Sequence, residues 1–150
     1  MKTESSFFRI FAFLKNNDEK FCDMKKIIAT ENAPKAVGPY SQAVEVNGTV
    51  WISGQIPVNP ADGSIPQTIE EQSHRALMNV GAILEAAGLS YADVVKTTVL
   101  LADIADFKAM NAVYAEYFTE KMPARACFQV AALPLGVKVE IEAIAVRQEL

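Results

Sequence analysis

The sequence predicts an α+β domain in which a mixed β-sheet carries two helices on one face. Three features point to it: an Asn47-Gly48 pair between β-type stretches, two windows with apolar residues at three- and four-residue steps, and strands on both sides of each window. The element order reads ββαβαββ or near it.

Residues 25–30 form a short β candidate, followed by a turn at Gly38-Pro39-Tyr40. Residues 43–46 lead through Asn47-Gly48 into Thr49–Ser53. Asn-Gly suits a type I′ hairpin turn because both central residues need positive φ. Gly54 is expected to end that strand. Pro57, Pro60, Gly63 and Pro66 then make residues 55–66 a loop, since proline can continue neither a ladder nor a helix interior.

Thr68 with Glu71 three residues on is a capping box, so the first helix starts there. Its stripe is Ile69, Ala76, Val80, Ile83 and Ala87, and Gly88 suits a left-handed C-terminal cap. Residues 94–101 are rich in β-branched side chains and are expected as a strand buried mostly on both faces. Asp103 or Asp106 can cap the second helix, whose inner face is Phe107, Met110, Tyr114 and Tyr117 and which stops before Pro123. Two strands, 125–132 and 137–146, close the chain around a turn at 133–136. Apolar residues on both faces of the last strand leave one sheet face without a helical cover, so a homo-oligomer is expected.

The 150 residues are 51% hydrophobic and 21% charged, which suits a single domain, placed at residues 24–150. Lys and Arg number 14 against 18 Asp and Glu, a net charge of −4. No overall positive field gathers phosphate backbones, so nucleic acid is disfavoured as the main partner. In residues 1–23, Phe7, Phe8, Ile10, Phe11, Phe13 and Leu14 precede a polar run from Asn16 to Lys20. Arg9 interrupts this apolar cluster, which is far below the ~20 residues that span a bilayer, and the acidic residues do not suit a transit peptide. Residues 1–23 are therefore read as an N-terminal extension, disordered or a docking arm. Cys22 and Cys127 are 105 positions apart, no disulfide framework, which favours a reducing, cytoplasmic setting, with organellar targeting by residues 1–23 left open. The single histidine, His74, is read as a surface residue.

The polar groups that look out of place lie near the C-terminus. Arg125 opens a largely apolar strand and shares a face with Cys127 and Gln129, while Glu140 and Glu142 share a face with Ile144 and Val146. Two readings stay open. Arg125 can form a structural cross-strand bridge with Glu140 or Glu142. Alternatively its planar fork can bind a substrate carboxylate, with a glutamate handling a proton or a water. Cys127 has no histidine nearby in sequence and is read as a small buried hydrophobe rather than a nucleophile.

Residues 24–150 resemble the RidA/YjgF family in four blocks: residues 36–43 (AVGPYSQA), 52–57 (ISGQIP), 123–125 (PAR) and 139–145 (VEIEAIA). The resemblance implies a chorismate-mutase-like fold, a homotrimer with clefts between subunits, and hydrolytic deamination of reactive 2-enamine and 2-imine acids such as 2-aminoacrylate. By position it makes Arg125 the grip on the substrate carboxylate and Glu140 the group that orients or activates water. Tyr40, Ser53, Gly54, Asn111 and Cys127 would line the pocket. The implied chemistry needs no metal or organic cofactor, because the imine carbon is already electrophilic and the enzyme mainly holds it beside water. Other classes are a trimer that binds small carboxylates or client proteins, and an endoribonuclease. The nuclease is disfavoured by a lone histidine, by the lack of a metal-ligand cluster and by the negative charge.

Overall fold

The computed structural model describes residues 24–148. Strands β1 (Lys26–Ile28), β2 (Ala43–Val46) and β3 (Thr49–Gln55) come first, then helix α1 (Ile69–Ala86), strand β4 (Val94–Leu101), helix α2 (Phe107–Tyr117), and strands β5 (Ala124–Gln129) and β6 (Val139–Val146). The order is thus βββαβαββ, one strand longer at the start than the expected ββαβαββ. The six strands form one mixed sheet in the order β1-β2-β3-β6-β4-β5. Among the described strands only β4 and β5 pair in parallel; every other pair is antiparallel. The α+β reading holds.

Local signals act where expected. Asn47 and Gly48 have φ of 50° and 74°, the two positive values a type I′ turn requires. Thr68 accepts from the Glu71 amide while the Glu71 carboxylate takes the Thr68 amide, an arrangement worth about 1 kcal/mol. Gly88 follows the end of α1 with φ of 70°. Asp103 caps a short 3₁₀ turn at Ile104–Asp106 that runs into α2, whereas Asp106 makes no side-chain cap bond. Arg147 closes the far end: its Nη2 donates to the Ala87 carbonyl at 2.7 Å, and its fork grips Glu45, holding that carboxyl below its ordinary pKa.

One sheet face is dry. Val50, Ile52, Val99, Leu101, Val139, Ile141 and Ala143 pack there against Ala76, Leu77, Val80, Ile83 and Leu84 of α1 and Met110, Val113 and Tyr114 of α2. Beside Ser73, the α1 stripe also buries the polar residues Gln72 and Asn79. Both are buried and bonded: Gln72 to the Pro66 carbonyl and Lys138 amide, Asn79 to the Ile56 and Val58 carbonyls. They tie the loop after β3 to the helix.

Among the described residues no helix lies on the other face. A row crosses all six strands there: Ile27, Val44, Trp51, Ile144, Lys96 and Ala124. Ile27 is 53% exposed, Trp51 46%, and Phe128 on β5 48%. The expectation that β4 is buried on both faces is therefore corrected for one chain. Val94, Thr97, Val99 and Leu101 are buried against the helices, while Lys96, Thr98 and Leu100 are only half-buried. The final strands are shorter than expected. β5 stops at Gln129 instead of residue 132 and β6 starts at Val139 instead of 137, because Pro134–Gly136 takes up a 3₁₀ turn in which Leu135 has φ of 56°. Residues 1–23, with Cys22, lie outside the described residues. Among the described residues no helix is long and apolar enough to cross a membrane.

Candidate active site

Arg125, the second residue of β5, lies beside Thr97 of β4, and in a parallel ladder such partners point to the same face. That face is the helical one. The guanidinium carbon lies 4.6 Å from the Tyr114 ring centroid and 5.6 Å from that of Phe107, both on α2. The cross-strand bridge is not formed: among the described residues the ion pairs join Lys26 and Arg147 to Glu45, Lys35 to Glu31 and His74 to Glu116. Arg125 is held by rings and has no carboxylate partner among them.

Asn111 lies four residues after Phe107 and three before Tyr114, so helical spacing puts it on the side of α2 that faces Arg125. Cys127 shares the face of Arg125 and packs against the core. Burial pushes its thiol pKa up, with the Arg125 charge opposing. That environment suits a small hydrophobe better than a nucleophile.

Glu140 is on the opposite face, because Val139 and Ile141 on either side of it are fully buried under the helices. The register of β3 on β6 slips between Ile52 and Gln55, and this bulge sets Gly54 against Glu140. A Cβ on Gly54 would fall on the Glu140 carboxyl group, so the glycine makes room for that carboxylate. Gly54 therefore does not end β3, as the sequence suggested, but bends it. Burial, and secondarily the nearby Glu142, raises the Glu140 pKa. A carboxyl group tuned this way suits proton transfer nearer neutral pH.

Tyr40 is exposed and lines a hollow of about 560 Å³ together with Gly54, Gln42, Gln55, Ile56 and Leu135. Gln42 is buried and shapes that rim, accepting from the Thr30 amide and donating to the Thr30, Ala33 and Pro34 carbonyls. Ser53 donates to the Ser41 carbonyl at 2.7 Å and lines a second depression of about 300 Å³ on the open sheet face, with Trp51, Lys96 and Glu142. The expected site residues thus fall into two groups. Tyr40, Ser53, Gly54 and Glu140 surround β3 and the open face, while Arg125, Asn111 and Cys127 lie on the helical face at the β5 edge. One chain does not bring the two groups together. Among the described residues no three His, Cys, Asp or Glu side chains are grouped so as to hold a metal.

Sequence reasoning missed Thr97, and it read Phe107 and Tyr114 as core only. Their spacing on one helix face was the visible signal, but a partner strand was needed to show what the rings hold. Gln72 and Asn79 were also missed, although a polar residue at an apolar period is a legible sign of a buried bonding role. His74, read as a surface residue, is partly exposed and meets the Tyr117 hydroxyl at 3.0 Å.

The fold and these blocks define a class. The family model described as Endoribonuclease L-PSP matches residues 30–147, and the chain belongs to this family, the RidA/YjgF proteins. Within it the chain is 56% identical over 128 residues to the 2-iminobutanoate/2-iminopropanoate deaminase of Capra hircus, covering 85% of this chain and 93% of that one. It is 54% identical to the deaminase of the same name from Escherichia coli K12, covering 83% and 100%. Among solved structures, the YjgF gene product of E. coli superposes with a TM-score of 0.80 at 53% identity, covering 82% and 99%. E. coli TdcF with bound serine gives 0.80 at 51%, covering 82% and 99%.

Proposed function

We propose that this chain is a 2-imino acid deaminase that adds water to the C=N bond of 2-iminobutanoate, 2-iminopropanoate and related enamine-derived acids, releasing a 2-keto acid and ammonia. The observation that carries the reading is the Arg125 guanidinium, held on aromatic rings at a sheet edge with no carboxylate partner among the described residues. Its fork can take a substrate carboxylate through two parallel hydrogen bonds. Relatives named as deaminases at more than half identity over nearly their whole length support the same chemistry.

In this mechanism Arg125 fixes the acid so that the imine carbon stands beside one water. Glu140 as carboxylate takes a proton from that water as its oxygen bonds to carbon. As glutamic acid it returns the proton to nitrogen, giving a carbinolamine; it then takes the proton of the new hydroxyl and passes it to the amine, so that ammonia leaves as the carbonyl forms. Backbone amides near Gly54 and Cys127 would serve as donors to developing charge. Because the Glu140 pKa is raised, the acid limb of kcat/KM lies above that of an ordinary glutamate: activity falls as pH drops through that value. A pH profile measured with enzymatically generated imine should show this limb, and Glu140→Gln should flatten it at low residual activity. A Gln variant with an unchanged limb assigns the proton to another group.

The reading includes a homotrimer in which Arg125 of one protomer meets Glu140 of the next. Two observations support it: the two residues occupy opposite faces of one sheet, and among the described residues the open face, apolar at Ile27, Trp51 and Phe128, carries no helix. Mixing Arg125→Ala with Glu140→Gln subunits tests both points. After dissociation and random reassembly about a quarter of shared sites regain both intact groups, so activity returns to roughly that fraction of wild type. A mixture as inactive as its components places the whole site within one protomer. Wild-type protein that binds 2-keto acids without shortening the life of a trapped imine would instead be a carboxylate binder. RNA cleavage that survives purification and is lost in Arg125→Ala would favour a nuclease.

A further inference from the structure

We infer that Tyr114, locked by Thr97 and flanked by Phe107, is a positioning residue that holds the Arg125 guanidinium in readiness for a carboxylate. The inference rests on the proposed role of Arg125 and deepens it. Tyr114 is 6% exposed, and its hydroxyl meets Thr97 Oγ1 at 2.8 Å. Thr97 is fully buried and is also the ladder partner of Arg125. The same threonine therefore fixes both the backbone that carries the cation and the ring beneath it. Phe118 packs against Tyr114 with ring centroids 4.5 Å apart, which keeps the ring from swinging away.

An aromatic face restrains Arg125 in a way that a carboxylate would not. It attracts the cation through the ring quadrupole and takes no N–H bond, so the donors at the guanidinium edge stay available. A carboxylate partner would compete with substrate for those donors, whereas bulk water alone would leave the long side chain to lose its rotamer freedom on binding. The ring platform removes part of that entropy loss in advance. It acts on carboxylate affinity and leaves the bond-making step to the water and Glu140.

The test compares Tyr114→Leu, Tyr114→Phe and Arg125→Ala by steady-state imine hydrolysis and by competitive inhibition with 2-oxobutyrate and its neutral amide, 2-oxobutyramide. Tyr114→Leu is expected to raise KM and the 2-oxobutyrate inhibition constant about ten- to thirtyfold, with kcat and the amide constant changed by less than about threefold. Tyr114→Phe, which keeps the ring, should recover most of the preference for the acid. If Tyr114→Leu does not fold, Phe107→Leu and Thr97→Val supply the same readout from a half-exposed ring and a near-isosteric side chain, with a smaller shift in the same direction. Equal weakening of acid and amide, or a loss confined to kcat, overturns the positioning role. Arg125→Ala separates the two layers. If it abolishes the acid preference while the Tyr114 variants keep it, only the positioning inference fails; if it leaves that preference intact, the role of Arg125 itself fails.

Discussion

Arg125→Ala is expected to lower kcat/KM for imino acids by about 30- to 4,000-fold, most of it through KM. The range corresponds to about 2 to 5 kcal/mol, the usual loss when one partner of a buried hydrogen-bonded charge pair is removed. The fold should survive. Arg125 sits half-buried on an edge strand, among the described residues its cationic contacts are to Phe107 and Tyr114, and its backbone pairing does not depend on its side chain. Arg125→Lys should fall between wild type and alanine, since an ammonium keeps the charge but loses the planar fork. Steady-state kinetics with imine supplied by a dehydratase, beside a thermal melt of each variant, decides the matter. A kcat/KM within twofold of wild type in a folded Arg125→Ala protein would remove the carboxylate grip and the mechanism built on it.

Gly54→Ala is expected to act on kcat, by about 100- to 10,000-fold, the range spanned by loss of a positioned general acid–base. The new methyl group would occupy the place of the Glu140 carboxyl group and push it away from the open face. Stability should change little. Gly54 is not among the glycines with positive φ, so alanine meets no backbone strain, and what must move is the tip of a flexible side chain. The signature is therefore a chemical loss without a matching drop in Tm. A double-mutant cycle sharpens it: in a Glu140→Gln background Gly54→Ala should cost far less than alone, because both changes disable the same group. Independent, multiplicative losses would mean that the glycine acts through something other than Glu140.

Much of this protein was legible in one dimension. The hairpin at Asn47-Gly48, the capping box at Thr68 and Glu71, the cap at Gly88 and the helical stripes all depend on interactions within a few residues, where side-chain chemistry and steric limits on φ suffice. Alternation along β6 correctly put Glu140 and Glu142 on the face of Ile144 and Val146, because strand periodicity is also local. The two charged residues of the proposed site, Arg125 and Glu140, were visible for the same reason. Each breaks an apolar strand.

What they do with one another depended on contacts far apart in the chain. That β6 inserts between β3 and β4, that β3 bulges to aim Gly54 at Glu140, and that Arg125 and Glu140 face opposite ways are matters of pairing register. A one-residue slip in register would turn Arg125 or Glu140 to the other face and move Gly54 off the Glu140 carboxyl group. Alternation did not decide whether Arg125 meets a glutamate or remains apart from one. Only packing of α2 over β5 decided it, by placing the rings of Phe107 and Tyr114 over the guanidinium. Local chemistry thus chose the elements and the reactive groups, and the sheet order chose their neighbours, because pairing between distant strands is settled by the burial of the whole core.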